Sequence, residues 1–429
     1  MDKTRILTRL LCAVGLCTLI SAVSALESSP ILLIPGFGGS QLDEKNGNYD
    51  YCNTGGNYKR VWYDLFLWRT RICSKDLQLR YDKSSNTYQN KTGIEVRVPG
   101  FGETKTVEYS AKFTVFSVKS YMNNLVQHFA KYGYERGISI RAAPYDWRLA
   151  ADELDRTGYF KQVKGLIEEM RKANGQRVTI VAHSMGGLVS HYFLTGYSGI
   201  DQDWKKKHIK AWITLGTPWG GAVETIQTVL ANERTASDWW KVLVPYGRTF
   251  ESTAWLLPKP SLFGDKVLVE TNSRKYTAND YEKLFDRINY EDGYAMFKGT
   301  QQIDSVTYPN VQTYCYYGKN LQTPERLTYK FGIINSLHKK IKGEEEDPIK
   351  NVKPKITHGD GDGTVNIDSL RVYNTEWSDR KGFESKEFDS ADHKGILSDT
   401  AVLEDIAKIV GARCCGNIEQ LEQLLEALN

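Results

Sequence analysis

The sequence predicts an α/β fold built on a mostly parallel sheet. Three observations carry that reading: strand-length apolar runs recur along the chain, a helix-spaced stretch precedes one of them, and the same run turns sharply into a second helix. The runs are Ile31 to Ile34, Ile138 to Ile140, Val178 to Val181 and Ala211 to Leu215; they look like buried strands, and each is followed by a turn and then helical spacing. Between the second and third, Gly158 to Lys172 sets Phe160, Val163, Leu166, Ile167 and Met170 on one face, as a crossover helix requires.

Taken in order, the first element is a leader. Lys3, Arg5 and Arg9 precede the apolar run Leu10 to Ile20, and Val23-Ser24-Ala25 offers small residues suited to cleavage, which predicts a secretory signal peptide over residues 1–25. The apolar run is short for a membrane span, and no later stretch is long and apolar enough for one. The formal net charge of +4 includes the leader's three cations and Asp2, so the remainder is close to neutral and gives no reason to expect nucleic acid as a partner. With 41% hydrophobic and 25% charged residues, the 429-residue chain has room for one large domain with insertions.

Beyond the leader stand Cys52, Cys73, Cys315, Cys414 and Cys415, an odd number in an oxidising route where disulfides persist. Cys52 and Cys73 flank a compact aromatic segment and are the preferred bridge; two separate buried thiols are the alternative. Asn90-Lys91-Thr92 is an N-glycosylation sequon in a polar stretch.

Two regions interrupt the strand-and-helix pattern. In residues 51–82, Val61, Trp62, Leu65, Phe66, Leu67 and Trp68 crowd between basic residues, which suits either core packing beneath a loop or an apolar wedge with a cationic rim that enters a lipid surface. Residues 219–353 are long and rich in Tyr and Trp, include Trp239-Trp240 and Trp255-Leu-Leu-Pro258, and suit a cap and lid over a site. The charge run Lys339 to Asp347 within them reads as a solvated loop. The core then comprises residues 26–50, 83–218 (with part of the cap) and 354–429.

A serine hydroxyl becomes a nucleophile only with a base in reach, a group that orients the base, and donors aimed at the developing oxyanion. Val178-Thr-Ile-Val-Ala-His-Ser-Met-Gly-Gly-Leu188 leads a strand through a turn at Ser184 into an amphipathic helix, the context of a nucleophile elbow; Ala182 is small enough for the turn and Gly186 lets the helix pack close. The acid and base are then expected downstream, in that order. Asp360 and Asp362 follow the strand-like Pro354 to Thr357, and His393 follows the segment that begins at Phe383. Of the other histidines, His128 and His191 lie in helical patterns, His208 and His338 adjoin lysines on expected surfaces, His183 points the wrong way from a strand-end turn, and His358 precedes the acid. The oxyanion donors are expected to be the backbone N–H of Met185 and, from the loop Pro35-Gly-Phe-Gly-Gly39, that of Phe37. The loop lacks the Lys-Ser/Thr ending of a phosphate-binding P-loop, and the chemistry calls for no metal and no cofactor.

PGFGGSQL, the Cys52 to Cys73 segment, VRVPGFG, APYDWR, AHSMGG, LGTPWGG, AWLLP, YCYYG, GDGDGTVN and the Ala391-Asp-His393 loop follow one another in the order of the lecithin:cholesterol acyltransferase-like family, which nearly the whole chain after the leader resembles. APYDWR, EDGYAMF and GDGDGTVN are most similar to its lysosomal (group XV) phospholipase A2 branch. The resemblance implies an α/β-hydrolase fold with a small disulfide-closed membrane-binding insertion and a cap, the triad Ser184, Asp362 and His393 (choosing Asp362 over Asp360), a Cys52 to Cys73 bridge, Trp62 near substrate, and a lid around residues 228–250. Three departures stand out: Phe37 replaces an aspartate of the lysosomal branch and so weighs against a strictly acidic optimum, Cys315 lacks its usual partner near Val372, and the charged insertion around 339–350 has no counterpart.

The implied activity is cleavage of a glycerophospholipid acyl ester through a Ser184 acyl-enzyme at a membrane or lipoprotein surface, with water or a lipid alcohol as acceptor. Trp62, Phe66 and Trp68 are the expected lipid contacts, and no obligate protein partner is evident. A dedicated sterol or ceramide O-acyltransferase is the rival reading, and a non-catalytic lipid carrier the third. The destination is the lysosome or the extracellular space.

Overall fold

A computed structural model describes residues 28–46, 54–62, 74–114, 117–231, 246–331, 349 and 352–413. The expected leader, Cys52 and Cys73, Phe66 and Trp68, most of the expected lid, the run from Lys339 to Asp347, His338, and Cys414 with Cys415 lie outside them.

Six strands form the central sheet: β1 (Ile31–Ile34), β2 (Ile140–Ala142), β3 (Val178–His183), β4 (Ile209–Leu215), β5 (Thr313–Lys319) and β6 (Phe383–Asp389), in the spatial order β6-β5-β4-β3-β1-β2. Every pairing is parallel. Parallel neighbours need crossovers, and helices supply them on both faces. Alternate residues of each strand therefore enter different cores. Leu32, Ile34, Ile180 and Trp212 join α2 (Tyr159–Asn174) and α3 (Met185–Thr195) on one face, while Ile31, Leu33, Val181 and Ile213 join α1 (Asn123–Ala130) and α6 (Thr400–Val410) on the other. This two-sided burial explains why the inner strands read as continuous apolar runs. The expected crossover helix is α2, closed by Gly175 at φ 71°, a left-handed conformation that costs glycine little.

Two boundaries differ from the sequence expectation. The run Ile138 to Ile140 enters the sheet only at Ile140, because Gly137 at φ 78° belongs to a turn whose Glu135 carbonyl accepts from the Ile140 N–H at 3.1 Å, and Ile138 is left 52% exposed. The range 219–353 read as cap also contains β5, a central strand of sequence TYCYYGK whose tyrosines hid it among the cap's aromatics.

Residues 219–312 of that range lie between β4 and β5 and include α4 (Glu224–Leu230) and α5 (Glu251–Trp255); the rest follows β5. Val269–Thr271, Lys275–Tyr276, Thr323–Tyr329 and Lys355–Gly359 form a separate four-stranded sheet, so the strand before the two aspartates is not part of the central one. The sheet order, the helices on both faces and the β3–α3 turn constitute an α/β-hydrolase fold.

Candidate active site

The geometry of β3 and α3 is concentrated at one residue. All six residues of β3 are buried, and α3 begins at Met185, so Ser184 must reverse the chain alone. It does so at φ 55°, ψ −130°, a region a serine occupies at a cost on the order of 1–3 kcal/mol. The turn is possible because its neighbours are backbone. A Cβ on Gly36 would lie 2.7 Å from the Ser184 Cβ, one on Gly186 2.4 Å from the Pro35 carbonyl oxygen, and one on Gly187 1.9 Å from Thr217 Oγ1. Gly186 thus lets α3 start directly against the end of β1, and Gly187 lets it pass Thr217, just after β4.

Ser184 Oγ lies 2.9 Å from His393 Nε2, and His393 Nδ1 lies 2.7 Å from Asp362 Oδ2. Asp362, 1% exposed, accepts from the N–H groups of Thr364 (3.0 Å) and Val365 (2.7 Å) at its other oxygen, which fixes the carboxylate plane. The His393 N–H donates to the Asp362 carbonyl at 2.8 Å, joining the two loops through the backbone as well. Burial acts to lower the readiness of His393 to take a proton, but the Asp362 carboxylate, its hydrogen bond and Glu224 outweigh it, leaving the imidazole above its ordinary value.

Of the two aspartates, Asp360 is exposed and occupied elsewhere: its Oδ1 accepts from the N–H groups of Asn320 (2.6 Å) and Gly361 (2.7 Å). His358 is also exposed, on the strand Lys355–Gly359. His208 departs from its expected surface position; its ring stacks on Trp204 at 4.6 Å, Nδ1 faces the Trp204 carbonyl at 2.9 Å, and it is buried.

A cavity of about 270 Å³ opens on Ser184 and His393. Phe37 and Trp62 line it, and so do Thr225, Thr253 and Leu256, from the segment between β4 and β5. The N–H groups of Phe37 and Met185 donate to no protein acceptor among the described residues. Trp62 is 3% exposed, donates from Nε1 to the Gly38 carbonyl at 2.8 Å and packs on Trp147 at 4.6 Å. It faces the cavity and not the outer surface, so of the two readings of its segment Trp62 takes the buried one. Asn90 is half-buried, and its Oδ1 accepts from Arg148 at 2.9 Å. Cys315 is a free, buried thiol in β5, pushed up to about 12 by burial.

The model of the family described as lecithin:cholesterol acyltransferase matches residues 58–308 and 303–397. The chain belongs to the lecithin:cholesterol acyltransferase family. The lysosomal phospholipase A and acyltransferase proteins of Bos taurus and Homo sapiens are each 33% identical to it, over 89% and 91% of this chain and 91% and 92% of theirs. The phosphatidylcholine-sterol acyltransferase of Mus musculus is 30% identical over 90% of this chain and 85% of its own. Among solved structures, a chain of the Tle4–Tli4 complex shares the fold with a TM-score of 0.53 at 14% identity, covering 90% of this chain and 99% of that one.

Two contributors to the site of this acyltransferase-family chain escape sequence reasoning. Gly216, at φ 61° after β4, would place a Cβ 3.2 Å from both Asp362 Oδ2 and His393 Nδ1, and Gly318 would place one 1.7 Å from the Ala391 carbonyl oxygen. Their absent side chains are what let the acid and base loops close over the sheet. Their positions at the carboxyl ends of β4 and β5, in LGTPWGG and YCYYG, were the available signal.

Proposed function

We propose that the protein is a lipid-surface serine hydrolase and acyltransferase that cleaves an acyl ester of glycerophospholipids. The observation that carries this is the run of contacts from Ser184 through His393 to Asp362, at 2.9 and 2.7 Å, at the base of a partly apolar cavity. The phospholipase and acyltransferase names of its relatives supply the substrate class.

In this reading Ser184 Oγ attacks the ester carbonyl as its proton passes to His393 Nε2, and the carbonyl oxygen, now an anion, is held by the N–H groups of Phe37 and Met185. His393 gives the proton to the departing alkoxide, lysophospholipid leaves, and an acyl-enzyme remains. Water or a lipid alcohol then surrenders a proton to His393 and takes the acyl group. Water yields fatty acid; an alcohol yields a new ester. Asp362 keeps the imidazole proton on Nδ1 so that Nε2 is free to accept. Trp62 contributes one wall of the acyl site, and Phe66 and Trp68 the lipid contact of the insertion.

Purified protein supplied with acyl-labelled phosphatidylcholine vesicles, alone and with ceramide or sterol, is expected to release labelled fatty acid and lysophospholipid, and with an accepted alcohol to form its ester. Mass spectrometry of the products from about pH 4 to 8 reads acceptor and optimum together. Absence of any labelled product under all these conditions would sink the reading. The phosphatidylcholine-sterol acyltransferase relative keeps a second reading in view, a dedicated sterol O-acyltransferase. It requires ester formation with little free fatty acid.

The destination in this reading is the lysosome or the extracellular space, and a buried carboxyl beside a half-buried one makes part of the fold's stability depend on pH. Glu251, 1% exposed at the start of α5, accepts from the Ala150 N–H at 2.7 Å; burial, then Asp152 beside it, holds its carboxyl far above the usual range. A carboxyl raised on folding stabilises below its unfolded value, and that stability is lost as pH rises through the folded value. Because the buried neutral His183 and His191 act in the opposite sense, the contribution is read from the variant: Glu251→Gln should raise the thermal midpoint relative to wild type by more at pH about 8 than at about 5. An equal effect of the substitution at both pH values would contradict it.

A further inference from the structure

The histidine beside the nucleophile is absorbed by no catalytic step, yet it is 2% exposed and both ring nitrogens are engaged. Nε2 lies 2.7 Å from the backbone carbonyl oxygen of His393, and Nδ1 lies 2.8 Å from the Tyr121 hydroxyl. A carbonyl oxygen only accepts, so Nε2 carries the hydrogen. In the neutral ring Nδ1 is then bare and accepts the Tyr121 proton. With that proton committed, the Tyr121 oxygen accepts the N–H of Gly36, at 2.8 Å. The chain of donors runs in one direction: Gly36 N–H to Tyr121, Tyr121 O–H to His183, His183 Nε2–H to His393. Past His393, the backbone N–H of that residue donates to the Asp362 carbonyl.

The two ends of this chain are two parts of the site far apart in sequence: the loop that carries Phe37, and the backbone of the base. Packing repeats the message. A Cβ on Gly39 would lie 2.7 Å from Tyr121 Cε1, the Tyr121 and His183 rings meet edge to face at 5.5 Å, and the His183 and His393 rings are 4.9 Å apart. We propose that His183 and Tyr121 are positioning residues that hold the Gly36–Phe37 loop at a fixed offset from His393, so that the oxyanion donor and the base act on the same carbonyl. Burial of His183, reinforced by the nearby His393 and Lys394, holds its pKa well below the ordinary histidine value, in keeping with the neutral ring this direction of donors requires.

The inference rests on the hydrolase reading above, and the experiment separates the two. Active sites are counted by fluorophosphonate labelling of Ser184, and kcat, KM and the affinity of a boronic-acid inhibitor, which adopts a tetrahedral anion on serine, are measured in the same preparations. Tyr121→Phe keeps the ring and removes the hydroxyl. It is expected to leave the number of labelled sites and KM near wild type, lower kcat on the order of 10- to 10²-fold, and weaken the boronate comparably, less than the 10²- to 10³-fold seen when an oxyanion donor itself is removed. His183→Asn, which keeps an acceptor near Nδ1, should retain more kcat than His183→Phe, which keeps neither contact. Wild-type kcat and boronate affinity in Tyr121→Phe would overturn the proposal, as would a kcat loss fully accounted for by lost labelled sites, since that is loss of fold. Failure of wild-type Ser184 to label would instead overturn the hydrolase reading.

Discussion

Ser184→Ala is expected to lower phosphatidylcholine cleavage on the order of 10⁶-fold, to the residual level that binding and oxyanion contacts alone provide. The substitution is gentle to the fold. Alanine removes one Oγ whose neighbour is His393 Nε2 at 2.9 Å, and it inherits the same φ of 55° that serine already tolerates. Binding of the variant to phosphatidylcholine vesicles should be unchanged, so the loss falls on kcat. Product release measured with radiolabelled lipid reaches the required sensitivity, and turnover within tenfold of wild type in contaminant-free protein would remove Ser184 from the mechanism.

Asp362→Asn should cost on the order of 10⁴-fold in kcat, by analogy with the same change in other serine hydrolases. The cause is tautomeric. Asp362 accepts at Oδ2 from His393 Nδ1 and at Oδ1 from two backbone N–H groups. In asparagine the carbonyl oxygen is held by those N–H groups, so the amide NH₂ is turned toward Nδ1. The imidazole then places its proton on Nε2, where Ser184 needs an acceptor. The variant also loses the carboxylate that raises His393, so the acid limb of the residual kcat/KM should move to lower pH. A loss below tenfold, or a limb that stays in place, would show that Asp362 does not orient the base.

How far the fold could be read from sequence depended on side-chain type. β1, β3 and β4 are largely aliphatic and buried on both faces, and they announce themselves; β5 does the same structural work with Tyr314, Cys315, Tyr316 and Tyr317, whose aromatic run reads as cap. The same limit applies in the site. A pattern of spacing reaches Ser184 because strand, turn and helix are contiguous, but it leaves Asp360 and Asp362 equivalent, since the amides of Asn320 and Gly361 that occupy Asp360 belong to a fold and not to a motif. His183 was set aside because of its direction. What that direction serves involves Tyr121, 62 positions upstream, and no local signal joins the two.

The glycines around Ser184 determine where this enzyme can change. At 36, 186 and 187 even a methyl group collides with the Ser184 Cβ, with the Pro35 carbonyl oxygen or with Thr217, so a larger side chain there would displace the residues that seat the nucleophile. Thr225, Thr228, Thr253 and Leu256, on α4, on α5 and just after α5, line the cavity with ordinary side chains. A library that randomises those four positions therefore varies the shape of the cavity while leaving Ser184, His393 and Asp362 and the glycines that seat them unchanged.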